Sequence, residues 1–407
     1  MGETSVDPIS PIVRVAVSIG SVNTSRGQTK THNRPTAIDL FCGVGGMSLG
    51  FEQAGFDVAG AVDIDEINVE TYARNFPQCR TWRADLSCAS AEQIRRETRI
   101  GDALIDVACA GTPCQGFSLI GKRLREDPRN LLLYEFARLV TELSPRYFVA
   151  ENVGGILLGS AKEVLSEFLL RVTRAGYCVV EPIQVLDAVE FGVPQRRRRV
   201  FILGYKRGLP APAYPTPPYP YDDAGSSAAP TVWDAIGDLP NIGKYKYLLT
   251  SDEYLGDLRA PSSYASILRG KAREPRDESS ERQVNGNGLS GCLRTLHTAK
   301  TIKRFRNTKQ GTYEDVSRLY RLARNGFAPT IRAGTGPEQG SFMAARPIHP
   351  FQNRCITVRE AARLQSFPDW FVFHPTKWHG FRQIGNSVPP RLARALAESV
   401  RRAIDNT

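Results

Sequence analysis

The residues best suited to chemistry are a cysteine, a carboxyl, a pair of arginines and a glycine loop with a trailing aspartate. Cys114 lies in Gly111-Thr-Pro-Cys-Gln-Gly-Phe-Ser118. It follows Leu104–Ala110, an apolar run that reads as a buried strand. Pro113 fixes its own φ and pushes Thr112 toward extended geometry, so a stiff turn presents the thiol beyond the carboxyl end of a strand. Ligands sit at that edge in open α/β sheets, and a cysteine held there is a candidate nucleophile. A Pro-Cys pair alone is more often a small buried cysteine beside a turn. The neighbouring segments reverse those odds. Arg146–Ala150 reads as another strand, and it delivers Glu151 and Asn152 to the same rim. Val193–Gly204 reads as a strand that begins basic, and period 2 puts Arg197 and Arg199 on one face. A solvated charge run is the equally weighted alternative for that cluster.

The glycine loop opens a strand–loop–helix–strand unit. Thr36–Phe41 is a strand, Cys42-Gly-Val-Gly-Gly46 the loop, Met47–Ala54 a helix and Val58–Ile64 the next strand, which ends in Asp63. Asp63 follows Gly43 at the spacing where a carboxylate at the next strand tip meets a ribose. A dinucleotide site needs G-x-G-x-x-G so that a pyrophosphate rests on the helix N-terminus, and here Ser48 takes the third glycine's place. S-adenosylmethionine has the ribose and adenine without the phosphates and suits the loop better. Asp85, after a third short strand, could accept from an adenine amino group or cap the segment that follows it.

These pieces need a mostly parallel sheet of the Rossmann-like α/β class. At 407 residues two domains are expected. The composition, 41% apolar, fits a soluble globular protein without a membrane-spanning run. Residues 1–35 read as a flexible polar arm without a signal peptide. Eight scattered cysteines form no CxxC pair and five histidines do not cluster, which predicts a reduced intracellular setting and no metal. A net charge of +11 suits a polyanionic partner, with a merely basic enzyme as the alternative.

Further motifs complete a pattern. Thr357 with Glu360 makes a capping box, and Gln383-Ile-Gly-Asn-Ser-Val-Pro-Pro390 leads into a last helix, Arg391–Ala403. Together, Asp39–Gly46, Gly111–Ser118, Glu151–Val153, Gln195–Arg199, Arg359–Pro368 and Gln383–Ser387 stand in the order of the DNA cytosine-5 methyltransferase family, which the chain resembles over residues 36–205 and 345–405.

That resemblance implies roles. Cys114 is the expected nucleophile. Glu151 grips cytosine at ring nitrogen 3, and Asn152 supports the loop. Arg197 and Arg199 hold the base and the nucleophile loop. Gln115, Ser118 and Gln195 meet the substrate. Phe41, Gly43, Gly45, Gly46, Asp63, Ile64, Asp85 and Asn386 contact S-adenosylmethionine, and the last helix folds back to complete that pocket. The chemistry suits the residues. A thiolate adding to carbon 6 makes carbon 5 nucleophilic, and nearby positive charge raises the thiolate fraction. A protonated Glu151 can stabilise the adduct, and a base, water included, removes the carbon 5 proton. The base must first leave the duplex, at about a few kcal/mol.

The expected organisation is a catalytic and cofactor-binding domain over 36–209, a linker and target-recognition domain over 210–344, and a returning segment over 345–407. The recognition domain is expected to be irregular and partly β, without steady helical pattern. His297, Arg304 and Arg306 are its candidate DNA contacts. Duplex DNA is the expected partner, a restriction endonuclease acting on the same site a second one, and the chain a monomer in the cytoplasm on the nucleoid. A tRNA-methylating relative would carry a Cys-Phe-Thr signature that is not found, and an inactive DNA-binding relative would show a broken motif.

Overall fold

Alternation along the strands decides the architecture. In Thr36–Leu40 (β1), Ala37 turns to one side of the sheet, and Ile38 and Leu40 belong to the core on the other. Val107–Gly111 (β4) and Tyr147–Val153 (β5) divide their apolar residues the same way, so both faces need cover. The computed structural model describes residues 34–112, 132–159, 161–282, 288–334 and 346–407. Cys114, Gln115 and Ser118 lie outside them.

After β1 come Gly46–Gln53 (α1), Asp57–Asp63 (β2), Glu66–Asn75 (α2), Arg80–Arg83 (β3) and Ala91–Glu97 (α3). β4, Leu132–Leu143 (α4), β5 and Ala161–Arg174 (α5) follow. Tyr177–Val179 (β6), Gln184–Asp187 (β7) and Arg198–Lys206 (β8) finish the sheet, ordered β3-β2-β1-β4-β5-β8-β6 with β7 also on β8. β1 to β5 pair in parallel, and β8 runs antiparallel to β5, β6 and β7. This is the mostly parallel, Rossmann-like α/β sheet expected. Leu133, Phe136, Val140 and Leu143 of α4 and Leu165, Phe168 and Val172 of α5 cover one face.

The other face is covered by α1 and by the last helix, Pro390–Asp405 (α11). A Cβ on Gly50 would come within 2.5 Å of Ala393 Cβ and of Arg394 N, so α1 meets α11 at backbone contact. The last helix of the chain thus packs against the middle of the helix that follows the glycine loop.

Between β8 and α11 lie Val232–Ile236 (α6), Tyr254–Leu255 (β9), Ser263–Leu268 (α7), Gly288–Leu289 (β10), Ala299–Asn307 (α8), Val358–Leu364 (α9) and Lys377–Asn386 (α10). The region has more helix than its sequence suggests, because α6 and α7 are too short to display two turns of apolar spacing and α8 buries only Phe305. Caps supply the missing signal: Thr231 and Ser262 accept from the backbone NH groups of Asp234 and Ala265, and Thr298 from that of Thr301. β9 and β10 form only a two-residue ladder. The Thr357–Glu360 capping box forms as expected at the start of α9. One apolar cluster runs without a break from α1 and α11 through Val232, Tyr264, Leu289 and Ile331. Arg363 of α9, fully buried, pins this junction through Asp238 and Asp369. No helix of the described residues is long and apolar enough to cross a membrane.

Candidate active site

The parallel register sets Gly111 beside Glu151 at the carboxyl edge of the sheet. Glu151 is the fifth residue of β5 rather than a residue beyond it, and it faces Phe201 across β8. Arg199, two residues from Phe201, therefore projects on the same side, and its Nε lies 2.9 Å from Glu151 Oε1. Both side chains are largely buried. Glu151 Oε2 is directed toward Gly111, where an added Cβ would stand 3.7 Å away. The neighbouring Asn152 donates from Nδ2 to Thr112 Oγ1 at 3.1 Å, and its Oδ1 accepts from Val153 N. Thr112 is the last described residue before the stretch holding Cys114. Asn152 thus ties β5 to the end of β4 at Thr112.

Arg197 does not share the strand with Arg199. Pro194 and the isolated bridge between Gln195 and Ala328 keep residues 194–197 out of the ladder, which starts at Arg198. Arg197 is buried and donates to Ile331 O and Gly385 O. It ties the stretch 328–334 to the carboxyl-terminal motif. Gln195 also departs from the expectation of substrate contact. It is fully buried, with Oε1 accepting from Ile331 N and Nε2 donating to Gln365 Oε1.

The cofactor candidates do converge. Phe41 leaves β1 with φ 62°, and Gly43 follows at φ 55°. Gly43 N donates to Asp63 Oδ2 and Asp65 N to Asp63 Oδ1, both at 2.9 Å, which clamps the loop to the tip of β2. Gly45 caps α1 in left-handed geometry. A Cβ on Gly46 would come within 2.4 Å of Val388 O, so the carboxyl-terminal motif closes directly over the glycine loop. Asn386 at the end of α10 is exposed beside it. Ile64 is 62% exposed at the strand tip, an apolar surface suited to covering a ring. Asp85 is exposed and accepts from Ser87 N and Oγ. It therefore organises its own turn, while Ser90 caps α3. The open space at Gly43, the carboxylate of Asp63 and the bare Ile64 fit a nucleoside-bearing ligand.

Beneath this pocket is a group that sequence spacing does not single out. Asp39 is buried in β1 and accepts from Ser48 Oγ, which accepts in turn from Tyr72 OH at 2.8 Å. Burial, with a contribution from Asp63, pushes the Asp39 carboxyl up to about 7 against the opposing Ser48 bond. A raised folded-state value means that the folded state holds the proton between about pH 4 and 7, so stability falls as pH rises through that window and is level above it. Asp39→Asn, which keeps the acceptor and cannot ionise, is expected to flatten that decline, gaining on the wild type by up to roughly 4 kcal/mol at pH 8. Thermal melts of both proteins from pH 5 to 8 check this, since parallel curves would remove Asp39 as the titrating group.

In the second region, His297 packs edge-on against Phe305, and its Nε2 accepts from Cys355 N at 3.2 Å. Arg304 faces Glu314 at 3.5 Å. Arg306 is exposed. Sequence reasoning also missed Arg382, which pairs with Asp65, the N-cap of α2, and so anchors α10 at the pocket rim.

Residues 36–402 match the family described as C-5 cytosine-specific DNA methylase. A Type II methyltransferase, M.XorII of Xanthomonas oryzae pv. oryzae, is 48% identical over 371 residues, covering 91% of this chain and 85% of that protein. M1.HphI of Haemophilus parahaemolyticus, another Type II methyltransferase, is 34% identical over 90% of this chain and 86% of its own. Among solved structures, a prophage-encoded candidate DNA modification methyltransferase of E. coli superposes with a TM-score of 0.73 at 36% identity, over 91% of this chain and 99% of that one. Dnmt2 of S. pombe, at 16% identity and TM-score 0.55 over 91% of this chain and 100% of its own, shares the fold. The chain therefore belongs to the C-5 cytosine-specific DNA methylase family, and its methyl donor is S-adenosylmethionine.

Proposed function

We propose that this enzyme methylates carbon 5 of one cytosine within a specific duplex DNA sequence, with the base turned out of the helix and Cys114 bonded to carbon 6. The observation that carries the reading is the Glu151–Arg199 pair at 2.9 Å, set beside the Asn152–Thr112 bond from which the Cys114 stretch departs.

The Cys114 thiolate adds to carbon 6, forming the C–S bond as the carbon 5–carbon 6 double bond opens. Glu151 supplies a proton to ring nitrogen 3, and the electron pair is left available at carbon 5. Bound S-adenosylmethionine supplies an electrophilic methyl group there. Water takes the carbon 5 proton, that bond's electron pair re-forms the carbon 5–carbon 6 double bond as the thiolate leaves, and ring nitrogen 3 returns its proton to Glu151. Arg199 holds Glu151 in place, and Asn152 holds the start of the nucleophile loop. Asp63, Phe41, the glycine loop, Ile64, Asp85 and Asn386 hold the cofactor.

Residues 210–344 serve as linker and target-recognition region. The enzyme works as a monomer on DNA in the cytoplasm. A restriction endonuclease cutting at the same site is its cellular counterpart, a reading supported by relatives named Type II methyltransferases. Expression in a host lacking cytosine methylation, followed by bisulfite sequencing, tests the function. 5-Methylcytosine at one recurring sequence is expected, and an unmethylated genome would refute it.

Asp63→Ala is expected to weaken cofactor binding by about 10- to 100-fold through the lost charge-assisted bonds, with DNA affinity changed less than about threefold. Calorimetry with S-adenosylmethionine settles this, and an unchanged affinity would remove Asp63 from the site.

A further inference from the structure

We infer that helix α8 lies along the DNA backbone and contacts phosphates through Lys300, Lys303 and Arg306. This rests on the reading of duplex DNA as substrate. It assigns the contact to a helix face that neither the motifs nor the catalytic edge involves.

Phe305 is the one fully buried residue of α8. It sits with Ile348 and Cys355, against Leu319, and so fixes which side of the helix faces inward. Three-residue spacing carries Lys300, Lys303 and Arg306 around the opposite side, where all three are exposed. Among the described residues, none of the three makes an ion pair or side-chain hydrogen bond. The neighbouring Arg304, by contrast, faces Glu314, and the carboxylate of Glu314 also caps Val316 and Ser317. The basic face is therefore left without an internal acid.

Its placement along the helix also points outward. The first turn contains no acidic residue, and Lys300 stands there instead. A cation at a helix N-terminus opposes the macrodipole and costs the helix roughly 0.3–1 kcal/mol, so helix stability does not explain Lys300. Arg306, in the last turn, is favourable to the dipole, but Lys303 gains little from it. A polyanion running along this side compensates all three charges at once. The rise of 1.5 Å per residue separates the outer two by roughly 9 Å, a distance that flexible side chains bridge to neighbouring phosphates of one strand.

The test measures affinity by fluorescence anisotropy for a duplex carrying the methylated sequence and for one lacking it, between about 50 and 200 mM salt. The wild type is compared with Lys300→Gln/Lys303→Gln/Arg306→Gln. Each phosphate contact contributes about 0.9 to the slope of log affinity against log salt, so the triple variant is expected to be shallower by roughly 2.7. It should also weaken on both duplexes by a similar factor, because phosphates carry no sequence. Thermal midpoint and cofactor affinity are expected to match the wild type, since the three side chains are exposed. An unchanged slope overturns the inference. Weakening confined to the specific duplex also overturns it, because α8 would then read bases. Failure of the wild type to methylate or bind either duplex would instead refute the function proposed above.

Discussion

Cys114→Ser is expected to abolish methyl transfer, lowering kcat by at least about 10⁴-fold, while DNA affinity stays within roughly threefold. Addition to carbon 6 needs a nucleophile that is partly ionised near neutral pH and that can depart again. A thiol meets both needs and an alkyl hydroxyl meets neither. The Asn152–Thr112 bond is made by other side chains and is kept in the variant. A radiolabelled-methyl assay together with DNA binding checks the split. Transfer at near wild-type rate in the serine variant would end the covalent proposal.

Glu151→Gln is expected to lower kcat by about 10²- to 10³-fold with a much smaller change in KM. Glutamine fits the same space between Gly111 and Arg199 and can still accept from the guanidinium. Its amide can also donate a hydrogen bond to ring nitrogen 3. It cannot transfer a proton, so ground-state grip survives and stabilisation of the adduct does not. Single-turnover rates at saturating DNA separate the two effects. A raised KM with an unchanged single-turnover rate would reassign Glu151 to binding alone.

The same residues explain what could be read from the sequence. Strand–glycine loop–helix order, the carboxylate at the tip of β2 and the capping box at Thr357 are local signals, and each appears where spacing puts it. Arg197 and Gln195 are different. Period-2 reasoning placed Arg197 on the strand face of Arg199, but Pro194 and the bridge to Ala328 take this segment out of the ladder. Their partners, Ile331, Gln365 and Gly385, lie far along the chain, and no local pattern announces them. Asp39 was hidden for a related reason. Its partner Ser48 comes from α1 and the donor to Ser48, Tyr72, from α2, a chain of contacts that only the packed sheet brings about. In the second region α6 and α7 were hidden by their length and α8 by its single buried residue, and their caps are the part of the sequence that predicts them.

Trapping the adduct tests the central claim most directly. A duplex with 5-fluorocytosine at the target position keeps a group on carbon 5 that cannot leave as a proton does, so elimination stalls. With S-adenosylmethionine present, the expected result is a protein–DNA complex that survives denaturation, with the nucleotide on the peptide containing Cys114. Formation of 5-methylcytosine on the ordinary duplex with no such complex on the fluorinated one, or attachment to another residue, would contradict it.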